Sequence, residues 1–166
     1  MRNHFVGHPF RLALATAKLL CVSHLTFTHL IQVSATEGPS MLPSFALMGE
    51  WALIDKTARR GRRVTVGDVI SYKLPFDPSW RGIKRVIGMP GDYVSISSPG
   101  ELGEDDVIQV PEGHCWIAGD NLTVSRDSRL FGPLPLALVE GKVLAVLLPW
   151  KDKRWIGNGL SPVDNP

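Results

Sequence analysis

Ser40 sits in the run Gly38-Pro39-Ser40-Met41-Leu42-Pro43, and Lys84 opens the run Lys84-Arg85-Val86-Ile87-Gly88-Met89-Pro90-Gly91-Asp92. A serine hydroxyl becomes a usable nucleophile at neutral pH when a neighbouring base takes its proton during attack. Histidine is the usual base, but His4, His8, His24 and His29 precede or lie inside an apolar N-terminal stretch, which leaves His114 for a soluble Ser-His-Asp arrangement. Lysine does the same work once its pKa falls from about 10.4 toward the working pH, and burial among apolar groups lowers it by disfavouring the ammonium. Ile83, Val86 and Ile87 are suitable company for Lys84. On an extended strand Lys84 shares a face with Val86 while Ile83, Arg85 and Ile87 point the other way, so alternation leaves open which face is inside. Pro39 and Pro43 stiffen the backbone around Ser40. That helps a nucleophile, because a misplacement of about 1 Å costs a large factor in rate. Read alone, Ser40 also suits a turn after the apolar stretch, and Lys84 an exposed place beside Arg85.

A third run, Gly119-Asp120-Asn121-Leu122-Thr123-Val124-Ser125-Arg126-Asp127-Ser128-Arg129, follows in the chain. In that order the three runs resemble the motifs of type I signal peptidases, serine endopeptidases with a lysine base. The likeness covers roughly residues 35–150 and is to the mitochondrial inner-membrane members of that family. The resemblance implies that Ser40 is the nucleophile and Lys84 the general base, with the Ser40 backbone N–H forming part of the oxyanion hole. It further implies that Ser125 hydrogen-bonds and orients Lys84, and that Asp127 and Arg129 form a structural ion pair nearby. Bacterial members often add a hydroxyl donor two positions before the nucleophile. This chain has Gly38 there, so a backbone group or another side chain must replace that donor. Ser44 stands where threonine is usual and keeps the hydroxyl.

By the same resemblance the reaction needs no metal or organic cofactor. The implied function is removal of sorting presequences from proteins imported to the intermembrane space. The implied partners are presequence-bearing precursors, inner-membrane lipid and a homologous second peptidase subunit, with no nucleic acid. The alternatives are a bacterial-type signal peptidase and a non-catalytic β subunit of a membrane peptidase complex. A self-cleaving repressor would need a DNA-binding segment where this chain is apolar.

The elements that must position these residues divide the 166-residue chain into a basic N-terminus at 1–11, a transmembrane anchor at 12–33, a catalytic domain at 34–150 and a polar tail at 151–166 expected to be poorly ordered. Lys18, His24 and His29 interrupt the apolar segment, and Lys18 lies near enough to its start to reach back to the interface. Val33-Ser34-Ala35 also suits the exit of a cleavable leader. The family resemblance favours a retained anchor.

Beyond Trp51, short β-prone runs alternate with Gly, Pro and Asp. Strands are expected at residues 51–55, 69–73, 83–89, 93–97, 107–110, 114–118 and 142–148. They predict a mainly antiparallel β domain with a partly closed barrel. The acidic, turn-rich residues 99–106 fall where larger members of the family carry an inserted β subdomain, here reduced to a loop or hairpin. A balance of 18 Lys and Arg against 16 Asp and Glu does not point to nucleic acid. Cys21 and Cys115 lie far apart, one in the apolar stretch, and form no disulfide framework. Arg59, Arg60, Arg62 and Arg63 surround Gly61 and suit either a solvated loop or an anionic surface.

Overall fold

A computed structural model describes residues 9–97 and 106–158. Its first element is helix α1, Pro9–Leu25, which continues through a wider π-helical turn, Thr26–Leu30. No residue of α1 or of that turn is buried. The 22 residues from Pro9 to Leu30 are long and apolar enough to cross a bilayer. At about 1.5 Å per residue they rise roughly 33 Å, against a hydrocarbon core of about 30 Å. Thr16 and Thr26 each donate a hydroxyl hydrogen bond to the carbonyl four residues back, at 3.0 and 2.9 Å, so neither needs water. Among the described residues the helical segment runs from Pro9, three residues before the expected anchor, to Leu30, short of its expected end. Residues 31–33 are already strand.

That strand, β1 (Ile31–Glu37), was absent from the strand expectation. It is followed by β2 (Met48–Asp55), β3 (Val69–Lys73), β4 (Arg81–Gly88), β5 (Tyr93–Ser95), β6 (Val107–Gln109), β7 (His114–Ala118), α2 (Ser128–Phe131), β8 (Leu134–Pro135), β9 (Val139–Leu148) and β10 (Arg154–Trp155). Eight strands form one sheet in the order β1-β2-β9-β3-β4-β7-β8, with β10 added to β9, and β5 pairs β6 separately. Every pairing is antiparallel. The sheet curls without closing, so the fold is the mainly β, partly closed one expected. Cleavage after Ala35 would remove five of the seven residues of β1 that pair with β2.

Strand positions follow from where β-branched and aromatic residues can be covered on both faces. In β3, Val69, Ile70, Ser71 and Tyr72 are all buried. Ile70, Tyr72, Val86, Cys115, Ile117 and Leu134 form one core cluster, and Met41, Phe45, Ile54, Val69, Val143 and Val146 form a second behind the Ser40 turn. Each large aliphatic side chain so buried is worth roughly 1.5–3 kcal/mol.

Of the tail expected to be poorly ordered, residues 151–158 are ordered, and residues 159–166 lie outside the described residues. Arg154 and Trp155 pair with Val146 and Ala145, and Asn158 Nδ2 donates to the Val66 carbonyl at 2.9 Å. Composition misled here, because a few polar residues find partners on a strand already built. Of the acidic stretch at 99–106, all but Asp106 lies outside the described residues.

Candidate active site

Ser40 lies in a 3-10 turn, Pro39–Met41, between β1 and β2. Gly38 enters that turn at φ 106° and ψ 154°, a backbone state that side-chain-bearing residues rarely hold. The backbone conformation thus explains why this position carries glycine, with no hydroxyl donor. Buried Met41 and Phe45 root the turn in the core. Five further hydrogen bonds fix its path. Asn121 donates from its backbone N–H to the Ser40 carbonyl at 3.1 Å and from Nδ2 to the Pro39 carbonyl at 3.2 Å. Arg85 Nη2 donates to Ser44 Oγ at 3.3 Å. Arg154 Nη2 donates to the Ser44 carbonyl at 2.6 Å, while Glu50 Oε2 accepts from the Ala46 N–H at 3.0 Å.

Lys84 is on β4 opposite Ile70 of β3 and is 6% exposed. Its Nζ lies 2.7 Å from Ser40 Oγ and donates to the Ile83 carbonyl at 3.0 Å. At the first of these distances an ammonium donates to the hydroxyl, and a neutral amine accepts the hydroxyl proton. Burial pushes the Lys84 pKa below its ordinary value, against the opposing pull of the Asp127 and Asp120 carboxylates. The face left open by alternation is decided in three dimensions. Lys84 and Val86 are buried, and Arg85 on the other face is buried too, because Asp120 accepts from its Nε and Nη2 at 2.8 Å each. Burial alone would raise the Asp120 pKa, but the Arg85 hydrogen bonds and charge, with the Lys84 charge, hold it below the usual carboxylate value.

The third motif wraps this pair. Asp127 is fully buried and accepts from Arg129 Nε at 2.9 Å, Arg129 Nη2 at 2.9 Å and the Gly119 N–H at 2.9 Å. Burial raises its pKa, yet the Arg129 contacts and the Gly119 amide outweigh it and hold the carboxyl low. Arg129 Nη2 also donates to the Leu122 carbonyl at 2.8 Å, which closes the motif into a compact loop. Ser128 Oγ accepts from the Ile117 N–H at 3.0 Å.

Among the described residues Ser125 Oγ, which is buried, meets no partner with hydrogen-bond geometry, although its hydroxyl is near enough to Asp127 to help lower that carboxyl's pKa. No direct bond from Ser125 to Lys84 is formed. The Ile83 carbonyl holds the amine instead. A Cβ on Gly119 would stand 2.3 Å from Ser125 Oγ and 2.4 Å from the Ser40 carbonyl oxygen. Only hydrogen fits between them.

Ser40 and Lys84 line an open cleft of about 520 Å³. One wall is β1, Ser34 to Glu37, at the edge of the sheet; the other includes Arg81 to Lys84 of β4. β4 pairs β7 from Arg85 onward. Met41, Phe45, Ile54 and Ile83 make the cleft floor apolar, and Thr36, Ser71 and Tyr72 add hydroxyls. Burial and the Asp127 charge push the Tyr72 hydroxyl pKa up to about 12, which keeps it protonated. His114 is not in this lining; its ring contacts the Glu112 carbonyl at 2.9 Å. Cys115 is fully buried in the core. Asn121, Asp120, Glu50 and Arg154 were not singled out from sequence. Asp120 and Asn121 stood in a visible motif, but Glu50 and Arg154 lie 104 residues apart with no local mark of their pairing.

The fold and these motifs define a signal peptidase: a model of the family "Signal peptidase, peptidase S26" matches residues 10–103 and 97–150, and the chain belongs to that family. The chain is 38% identical over 156 residues to mitochondrial inner membrane protease subunit 1 of Schizosaccharomyces pombe, covering 93% of this chain and 96% of that one. It is 41% identical over 134 residues to mitochondrial ATP-independent inner membrane protease subunit 1a of Arabidopsis thaliana, covering 80% of each. A further relative is mitochondrial inner membrane protease subunit 2 of Danio rerio, 37% identical over 131 residues, covering 76% of this chain and 68% of that one.

Proposed function

We propose that this chain is a membrane-anchored serine endopeptidase of the mitochondrial inner membrane that removes sorting presequences, with Ser40 as nucleophile and Lys84 as general base. The observation that carries the reading is the 2.7 Å contact between Ser40 Oγ and a buried Lys84 Nζ, set in the wall of a cleft between two strand edges. An extended precursor adds backbone hydrogen bonds along β1 and the start of β4, which brings one carbonyl carbon over Ser40.

Neutral Lys84 takes the Ser40 proton as Oγ attacks that carbon. The Ser40 N–H faces the developing oxyanion. With no side chain at Gly38, backbone donors at the turn carry that task. Collapse of the tetrahedral intermediate breaks the C–N bond, and Lys84 returns its proton to the leaving amine. Lys84 then deprotonates water, which hydrolyses the acyl ester and frees Ser40. Ser125 offers its unpaired hydroxyl to the amine as the Ser40 contact is given up, and Asp127 with Arg129 keeps that loop in shape. The relatives' names as subunits 1 and 2 support a complex with a homologous second subunit.

The direct experiment is turnover of a presequence-bearing precursor by the wild-type chain and by Ser40→Ala. Cleavage by the first and none by the second is expected. Equal cleavage, or none by either, would favour a non-catalytic subunit.

A further inference from the structure

The basic turn after β2 stands where the membrane span ends. β1 follows the helical segment without a linker, and Ile31 pairs with Asp55. Residues 56–61 therefore lie beside residues 26–30, and the two turns are in contact. A span of about 33 Å placed across a hydrocarbon layer of about 30 Å puts its last turn in the headgroup region. Lys56 and the arginines next to it share that level.

The turn is built rather than loose. Asp55 accepts from the Thr57 N–H at 2.8 Å, Ala58 is buried in the core, and Arg63 is tied to Thr57 and, at 3.5 Å, to Asp55. Arg60 and Arg63 both hold positive φ, 58° and 55°. What this framework presents outward is Arg59, Arg60 and Arg62, all exposed. Among the described residues none of the three is paired with an acid, whereas the nearby Lys142 is held by Asp68 at 2.7 Å. Guanidinium forks presented by a held backbone turn at headgroup depth match phosphodiester oxygens.

We infer that Lys56, Arg59, Arg60 and Arg62 form a binding site for the phosphate groups of anionic phospholipids in the leaflet where the span emerges. Occupancy would fix the rotation of the β domain about its anchor and so set the height of the cleft above the membrane. The inference rests on the span crossing the bilayer and is independent of the peptidase reading. Each basic side chain near an anionic surface gains roughly fivefold in partition.

The test uses the full chain reconstituted in vesicles of phosphatidylcholine alone or with phosphatidylglycerol. Trypsin cutting at Arg59–Arg63 is measured against cutting after Lys153. The anionic vesicles should slow the former by at least roughly fivefold, and about 1 M salt, with a screening length near 3 Å, should restore it. Extracted in mild detergent, Arg59→Gln/Arg60→Gln/Arg62→Gln should retain several-fold less phosphatidylglycerol than wild type. Equal cutting in both vesicles, or equal lipid retention by the variant, overturns the site. Protection in phosphatidylcholine vesicles by inorganic phosphate reassigns it to a soluble anion. Flotation of the vesicles separates all of these from failure of the span itself.

Discussion

Lys84 carries opposing demands in one side chain. It must be buried to be a base, and burial costs stability. Its folded pKa lies below its ordinary value, so between the two the native state binds fewer protons than the unfolded chain. The penalty is full below the folded pKa and is relieved as pH climbs to the ordinary lysine range. Lys84→Met is therefore expected to raise the melting temperature at neutral pH while abolishing cleavage. Lys84→Arg should be equally inactive, since guanidinium does not give up its proton. With wild type, the rate should rise with pH along a single limb below the usual lysine range, read from kcat/KM profiles. A falling limb instead would assign the proton transfer to another group. Ser40→Ala should lose roughly four orders of magnitude in rate or more, and His114→Ala should keep most of its activity. For Ser125→Ala a loss of up to about a hundredfold is expected, with melting unchanged. Full turnover by that variant would remove Ser125 from the mechanism.

Strands and turns act on the site through what they tie down. β10 is two residues long, yet Arg154 on it joins Glu50 and the Ser44 carbonyl, at 2.8 Å and 2.6 Å. Glu50 is 3% exposed. Removing Arg154 leaves that carboxylate without its charge partner, at a cost of about 1–3 kcal/mol, and frees the nucleophile turn. Arg154→Ala should thus lower both melting temperature and kcat, with Arg154→Lys restoring part of each; unchanged kcat would mean that the turn needs no strap.

Asp127→Ala removes the carboxylate that faces Arg129 in a largely buried place and should cost about 3–5 kcal/mol. Melting compared with single-turnover rate distinguishes this from a chemical role. Burial opposes ionisation of Glu50 and Asp127, but their arginine partners prevail and lower both pKa values. The stability these pairs contribute is complete above the ordinary carboxylate range and is lost as pH falls through the lowered values. Acid unfolding of Arg154→Ala should lack the Glu50 part of that loss.

At the scale of the whole molecule, the positive residues Arg2, Arg11 and Lys18 precede or open the span, and the ten residues after residue 33 carry Glu37 as their one charge. Positive residues stay on the side from which insertion occurs. We propose on this ground that the N-terminus lies in the matrix and the β domain in the intermembrane space. Protease added to mitochondria with ruptured outer membranes should digest a C-terminal tag, and carbonate should leave the chain in the pellet. A protected tag would reverse the topology, and release into the supernatant would make the helix peripheral.

Strand content, the anchor and the three motifs were legible in the sequence because each is written locally. Alternation and turn residues mark β3 and β7 at their observed bounds, and Pro39, Ser40 and Lys84 stand in dense runs. β1 was hidden because its residues continue the apolar character of the span and become a strand only by pairing with β2. The tail looked polar and loose because the value of Arg154 lies in a carboxylate 104 residues earlier in the chain. Which face of β4 is inside was undecidable from alternation, since Arg85 is buried by an ion pair with Asp120 and Lys84 by the core. Residue type and local spacing determine what chemistry is available. Distance, burial and charge pairing between remote segments decide whether it can occur, because they are set only when the sheet brings those segments together.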